Sequence, residues 1–235
     1  MMIPKMEIVN YVRGTPSFYS REKAEVIISS LTGEKAHGFY AELEASPFFA
    51  EMRSRNDYLV KNKLGNVPIE TEAKFLYALC RAFKPEKVVE TGPGTGISSS
   101  FILKALEDNG RGEMWSIEAG VLRVNPLGLK FGQFVPEDLR GRWHLIMGES
   151  KKLLPDLLTD LKQIDLFFHD SDHSYENMSW EFEQGWPFVR SGGLLAADDI
   201  NYDSAFKDFC SRRKLRPEPF SRFSRFGIVK KPSPE

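Results

Sequence analysis

Two hydrophobic periods alternate along the second two thirds of the chain. Short apolar runs stand at Val88–Thr91, Met114–Glu118, Trp143–Met147, Ile164–Asp170 and Leu194–Asp198. Their length and β-branched or aromatic content predict strands. Between them the apolar positions recur at helical spacing: Ile97, Phe101, Ile102, Ala105 and Leu106, a pattern that stops near Asn109-Gly110, then Leu153 to Leu161, Tyr175 to Val189, and Ser204 to Arg213. The Gly192-Gly193 pair reads as a turn, and the segment ending in Phe226-Gly227-Ile228-Val229 reads as a terminal β hairpin. Strands interleaved with helices imply a mostly parallel sheet covered on both faces, an α/β architecture. In such sheets, ligands bind at the carboxyl ends of the strands.

The first third is patterned differently. Helical periodicity over Ser20 to Leu31, Ala36 to Ala45 and Pro47 to Tyr58 is broken by Gly14, Pro16, Gly33 and Pro47. Residues 1–66 therefore read as an N-terminal helical extension, a substrate cap or oligomer contact, and residues 67–235 as the catalytic domain. A further helix is expected over Glu70 to Phe83, stopped by Pro85.

Composition narrows the partners. With 235 residues, 41% of them hydrophobic, the chain can bury one sizeable core, and a net charge of −1 does not point to a polyanion. The basic, aromatic-interleaved stretch Arg212, Arg213, Lys214, Arg216, Arg222, Phe223, Arg225, Phe226 reads as a solvated edge before it reads as an RNA site. No apolar run is long enough to span a bilayer, and Cys80 and Cys210 lie in no metal or redox motif. The expectation is a cytoplasmic, soluble protein with two reduced core thiols and no membrane partner, with nucleic acid disfavoured and homo-oligomerisation left open.

The chemistry gathers at strand ends. The first strand closes on Glu90 and turns through Gly92-Pro93-Gly94-Thr95-Gly96 before a helix that opens with Ile97 and Ser98. Glycines there let the backbone approach a ligand, and the free N–H groups of the helix start face it. A dinucleotide fingerprint would need glycine where Ile97 stands, and a phosphate loop would need a terminal Gly-Lys-Ser/Thr. The remaining pattern, acidic-x-Gly-x-Gly-x-Gly, resembles that of class I S-adenosylmethionine (SAM) methyltransferases. Glu118, ending the second strand, is placed to hold both ribose hydroxyls, and Glu149-Ser150, after the third, to meet the adenine; Ser150 is also a good N-cap for the following helix.

The fourth strand ends in Asp170, followed by Asp172, His173 and Tyr175, and the fifth ends in Asp198-Asp199. Neighbouring strands would crowd these carboxylates, and a hard cation such as Mg²⁺ or Mn²⁺ would relieve the repulsion. His169 should point away from Asp170 as a structural histidine. The two acidic edges resemble the metal-dependent O-methyltransferases, catechol-type and macrocin- or novobiocin-type, over about residues 70–230. That resemblance implies a Rossmann-like, seven-stranded fold. It also implies SAM bound by Glu90, Gly92, Gly94, Gly96, Ser98, Glu118, Glu149, Ser150 and Asp170, Mg²⁺ held by Asp170, Asp198 and Asp199, and His173 as general base beside Asp170. Methyl transfer to a hydroxyl of a diol, catechol or sugar follows. The alternatives are a metal-independent methyltransferase acting on nitrogen or RNA, a non-catalytic SAM-binding module, and a nicotinamide oxidoreductase.

Overall fold

The computed structural model describes residues 20–65, 67–120, 128–217 and 225–233. Three helices come first: α1 (Arg21–Thr32), α2 (His37–Glu44) and α3 (Pro47–Lys61). Ser20 and Ser46 cap α1 and α3 by accepting from Lys23 N and Phe49 N, and Gly33 ends α1 in the left-handed conformation. A wide π-type turn over Ile69–Ala73 then leads into α4 (Lys74–Phe83).

The sheet follows: β1 (Lys87–Thr91), α5 (Ile97–Asp108), β2 (Glu113–Glu118), β3 (Trp143–Met147), α6 (Ser150–Leu161), β4 (Ile164–His169), α7 (Tyr175–Gly185), β5 (Val189–Ala197), α8 (Ala205–Arg212) and β6 (Gly227–Lys230). Its order is β3-β2-β1-β4-β5-β6, parallel except for β6, which runs antiparallel to β5. This is the expected Rossmann-like α/β fold, with one correction: six strands are found among the described residues, where seven were expected. β6 pairs directly with β5, and of the segment expected to form a terminal hairpin, residues 218–224 lie outside the described residues.

Two further boundaries differ. α7 stops at Gly185, where an added Cβ would lie 2.9 Å from the Phe167 ring. β5 begins at Val189 and runs through the Gly192-Gly193 pair, absorbing it in a register shift opposite Ile164 and Leu166. The N-cap of α6 is Glu149 and not Ser150, which is the first helical residue.

Each face of the sheet carries its own core. Val89, Phe167, Leu195 and Ala197 pack under α6, α7 and α8. Val88, Leu166, Phe168 and Leu194 pack under α4 and α5, and this second core also takes in Ile28, Leu43 and Met52 from α1 to α3. The N-terminal helices thus share one hydrophobic interior with the sheet.

Candidate active site

Strand alternation decides what each site residue faces. On β1, Thr91 points to the α7 side and Glu90 to the α5 side. The Glu90 carboxylate is fully buried and accepts from Ser99 Oγ (2.8 Å) and Ser116 Oγ (2.6 Å); Trp143 Nε1 in turn donates to Ser116 Oγ (2.8 Å). Burial raises its pKa to about 7, against the pull of those two hydroxyls. As placed, Glu90 braces the strand, loop and helix and faces their interior.

The loop that follows is pressed against the end of β4. Gly92 has φ 82°, and a Cβ there would lie 2.2 Å from the Asp170 carbonyl oxygen, so only glycine fits. Gly96 is the N-cap of α5, covered by Val135 and Gly132. The connection between β2 and β3 clamps the loop from outside, with Gly132 N donating to Gly94 O and Phe134 N to Thr95 O, both at 2.9 Å. Its residues 121–127 lie outside the described residues.

Beside the loop opens a cavity of about 740 Å³ lined by Gly92, Gly94, Glu118, Ser150, Asp170 and His173. Gly94 faces it with nothing near its missing Cβ, which leaves room for a ligand against bare backbone. The Glu118 carboxylate accepts from Gly94 N (3.1 Å) and Gly120 N (2.9 Å). Glu149 lies elsewhere: its side chain is 61% exposed and pairs with Lys152 at 3.0 Å.

A second cavity, about 220 Å³, shares Asp170 and His173 with the first and is further lined by Glu72, Ser98, Asp198, Asp199 and Arg225. Asp170 and Asp198 therefore do converge, from the ends of β4 and β5. Burial and the Asp198 charge push the Asp170 carboxyl well above the usual range, and burial with the Asp199 charge takes Asp198 to about 6. Asp199 leaves β5 with φ 52°; its Oδ1 takes Arg225 Nε at 2.5 Å, and its Oδ2 lies 3.5 Å from His173 Nε2. His173 Nε2 is also 3.9 Å from Asp170 Oδ1, and its ring stacks on Tyr202. Burial lowers the His173 pKa, although Asp199 opposes the shift.

The donor set was tested for a hard cation. Oxygen-only ligands, mutually repelling carboxyls and the buried, unpartnered Asp198 Oδ1 fit one at Asp170 and Asp198. Arg225 occupies Asp199 Oδ1, which leaves that carboxylate only Oδ2 to offer, and among the described residues no three His, Cys, Asp or Glu side chains are already disposed around an ion.

Two groups escaped the sequence reading. Glu72 sits in the π-type turn before α4, too far along the chain from either acidic edge to be grouped with them. Glu181, fully buried on α7, accepts from Thr91 Oγ1 (2.5 Å), His169 Nδ1–H (2.6 Å) and Ser171 Oγ (3.0 Å). Burial works against its charge, but the His169 contact and the hydroxyls of Ser150 and Thr91 hold its pKa below the ordinary value. His169 accordingly lies on the face opposite Asp170, buried against α7.

A parallel Rossmann-like sheet with a glycine loop and acidic strand ends beside one cavity defines the class: a SAM-dependent methyltransferase, and hence an enzyme. Residues 89–200 match the family model described as a methyltransferase domain, and no curated protein matches the chain. Among solved structures, it is similar to a proposed O-methyltransferase from Klebsiella pneumoniae (TM-score 0.60, 16% identity, covering 89% of this chain and 99% of that one). It is also similar to a methyltransferase from Geobacter sulfurreducens (TM-score 0.58, 20% identity, 81% and 90% covered). A third likeness is to an O-methyltransferase from Bacillus cereus in complex with SAH, S-adenosylhomocysteine (TM-score 0.54, 15% identity, 88% and 96% covered). At these identities the likeness is one of fold. Among the described residues no helix is long and apolar enough to cross a membrane.

Proposed function

We propose that this chain transfers the methyl group of SAM to a hydroxyl of a small-molecule acceptor, with His173 as general base. One observation carries the reading: Asp170 and His173 line both cavities, so a donor in the larger and an acceptor in the smaller would meet at these two side chains. Methyl transfer is an in-line displacement in which the acceptor oxygen must be deprotonated and held behind the sulfonium. An imidazole kept neutral by burial can take that proton at physiological pH. In this reading Glu118, which accepts from a loop N–H, takes the ribose hydroxyls, Ser150 the adenine, and Gly92 and Gly94 the amino-acid end, a reading supported by the four residues lining the larger cavity together. The bound O-methyltransferase from Bacillus cereus supports the choice of cofactor and of oxygen as the acceptor atom. In this reading residues 1–66 form a cap on a catalytic domain of residues 67–235. The two buried free thiols, Cys80 and Cys210, suit the reducing cytoplasm.

A hard divalent ion held by Asp170 and Asp198 would lower the hydroxyl's pKa and fix its oxygen. A metal-independent version is favoured by the Arg225–Asp199 ion pair, in which a guanidinium already supplies positive charge to the cluster. Activity that survives EDTA selects the second version, and loss restored by Mg²⁺ selects the first.

The test is transfer of labelled methyl to a panel of diols, together with SAH titration. His173→Ala should lower kcat by about 10²-fold or more with SAH affinity unchanged. Glu118→Ala should weaken SAH about ten- to a hundredfold through loss of charge-assisted hydrogen bonds. Full turnover in His173→Ala removes the base; unchanged SAH binding in Glu118→Ala removes the ribose contact.

A further inference from the structure

A general base works only if its ring is held in one orientation, and the usual device is a hydrogen bond at the ring nitrogen that does not meet the substrate. His173 lacks that device. Its Nε2 lies 3.5 Å from Asp199 Oδ2 and 3.9 Å from Asp170 Oδ1, while its Nδ1 is buried with no hydrogen-bond partner among the described residues. Two ring contacts stand in its place. Tyr202 stacks on the imidazole with centroids 5.9 Å apart and planes inclined by 23°, and His169 meets it at 5.5 Å and 83°.

The two contacts differ in rigidity. Tyr202 is 69% exposed, so little protein surrounds its ring. His169 is fully buried at the end of β4, with Nδ1 bonded to Glu181 at 2.6 Å and its ring packed edge-on against Phe182 of α7 at 5.4 Å. Glu181 is held in turn by Thr91, Ser171 and Asn177. Alternation along β4 turns His169 away from Asp170, yet the turn that follows folds His173 back against it. His169 Nε2 is also buried without a partner among the described residues, so no hydrogen bond joins the two imidazoles and only contact passes between them.

We infer that His169 is a positioning residue for the proposed base: by ring contact, and together with the exposed Tyr202, it fixes the His173 imidazole so that Nε2 stays beside Asp170 and Asp199. This rests on His173 acting in methyl transfer. His173 and Asp170 line both cavities, so a ring turned out of that place would miss a hydroxyl held behind the methyl group. Because the role is one of contact, a carbocyclic ring should serve nearly as well as an imidazole.

Leucine and phenylalanine at position 169 separate the ring from everything else, since both are apolar and both give up the bond to Glu181. The full chain, isotopically labelled at histidine Cε1 and saturated with SAH, carries four histidines, and His173→Gln identifies the His173 signal. Ring order read by NMR relaxation needs no acceptor: the His173 ring should be as ordered as its backbone in the native chain and in His169→Phe, and loosened in His169→Leu. With catechol as acceptor and labelled SAM as donor, His169→Leu should lower kcat about ten- to a hundredfold, and His169→Phe should recover most of that loss, with the same SAH affinity in both variants. An unchanged His173 ring in His169→Leu, or equal losses of kcat in the two variants, overturns the inference. Should neither variant fold, Tyr202→Leu decides from its exposed position, and an unchanged His173 ring there overturns the inference as well. A ring that follows the expected series while His173→Ala keeps full turnover leaves the positioning in place and overturns the base instead.

Discussion

Glu90 shows how a single residue can carry a motif's position and yet serve the scaffold. It stands where an acidic cofactor ligand is expected, but alternation along β1 turns its carboxyl onto Ser99 and Ser116, inside the molecule. The sign of its pH effect follows from its shift. Unfolded, the group ionises near the ordinary value of 4.5, while the native chain keeps the proton to about pH 7. Between these values the unfolded state holds fewer protons, so Glu90 takes away stability as pH rises, on the order of 3 kcal/mol in all. Glu90→Gln should therefore raise the melting temperature at pH 8 and leave it nearly unchanged at pH 4.5, measured by circular dichroism. An equal shift at both pH values would show that the native carboxyl is ionised. The strand and its glycine loop were legible from spacing, but which side of the sheet Glu90 faces against Ser116 depended on the pairing of β1 with β2.

The β4–α7 unit is the element on which the site most depends. Asp170 to Ser174 must hold still for Asp170 and His173 to face both cavities, and Glu181 gathers this segment from above. It binds Ser171 beyond the strand, His169 within it and Thr91 on the neighbouring strand. Removing a buried group of this kind leaves its partners stranded, at a cost of about 3–5 kcal/mol. Glu181→Ala should show that loss in urea unfolding and reduce SAH affinity as the loop loosens; a loss under about 1 kcal/mol would mean that His169 and Thr91 find other partners. The sequence separated His169 from Asp170 correctly, since adjacent strand residues face opposite ways. It was silent on Glu181, because a lone glutamate in a helical pattern looks like any solvated position until the helix is laid against the sheet. The end of α7 was misplaced for a similar reason: its last residue, Gly185, lies so close to Phe167 of β4 that a Cβ would clash, a contact between segments distant in sequence.

Across the whole molecule, the N-terminal helices and one face of the sheet form a continuous interior. Met52 on α3 is fully buried in that shared core with Phe101 of α5 and Phe168 of β4. Met52→Ala should cost about 2–5 kcal/mol and lower a single cooperative transition in calorimetry. A split into two transitions, with only the first displaced, would show the helices to be an independent unit. The same integration bears on chemistry, because Val67, Pro68, Glu72 and Leu76, just beyond α3, wall the smaller cavity. The lining of the smaller cavity thus includes a segment that carries no recognisable motif.

Local order alone was enough to establish the strand and helix succession, the glycine turn whose missing side chains let backbone meet backbone, and the acidic ends of β2, β4 and β5. Periodicity and steric limits act over a few residues, so they can be read directly from the chain. Tertiary structure decided the rest: that Glu90 turns inward, that Glu149 stays at the surface with Lys152, that Arg225 neutralises Asp199, and that Glu72 joins the carboxyls from a distant turn. Each of these depends on distances between segments far apart in sequence, which are set by the strand order β3-β2-β1-β4-β5-β6 and by the helices packed across it.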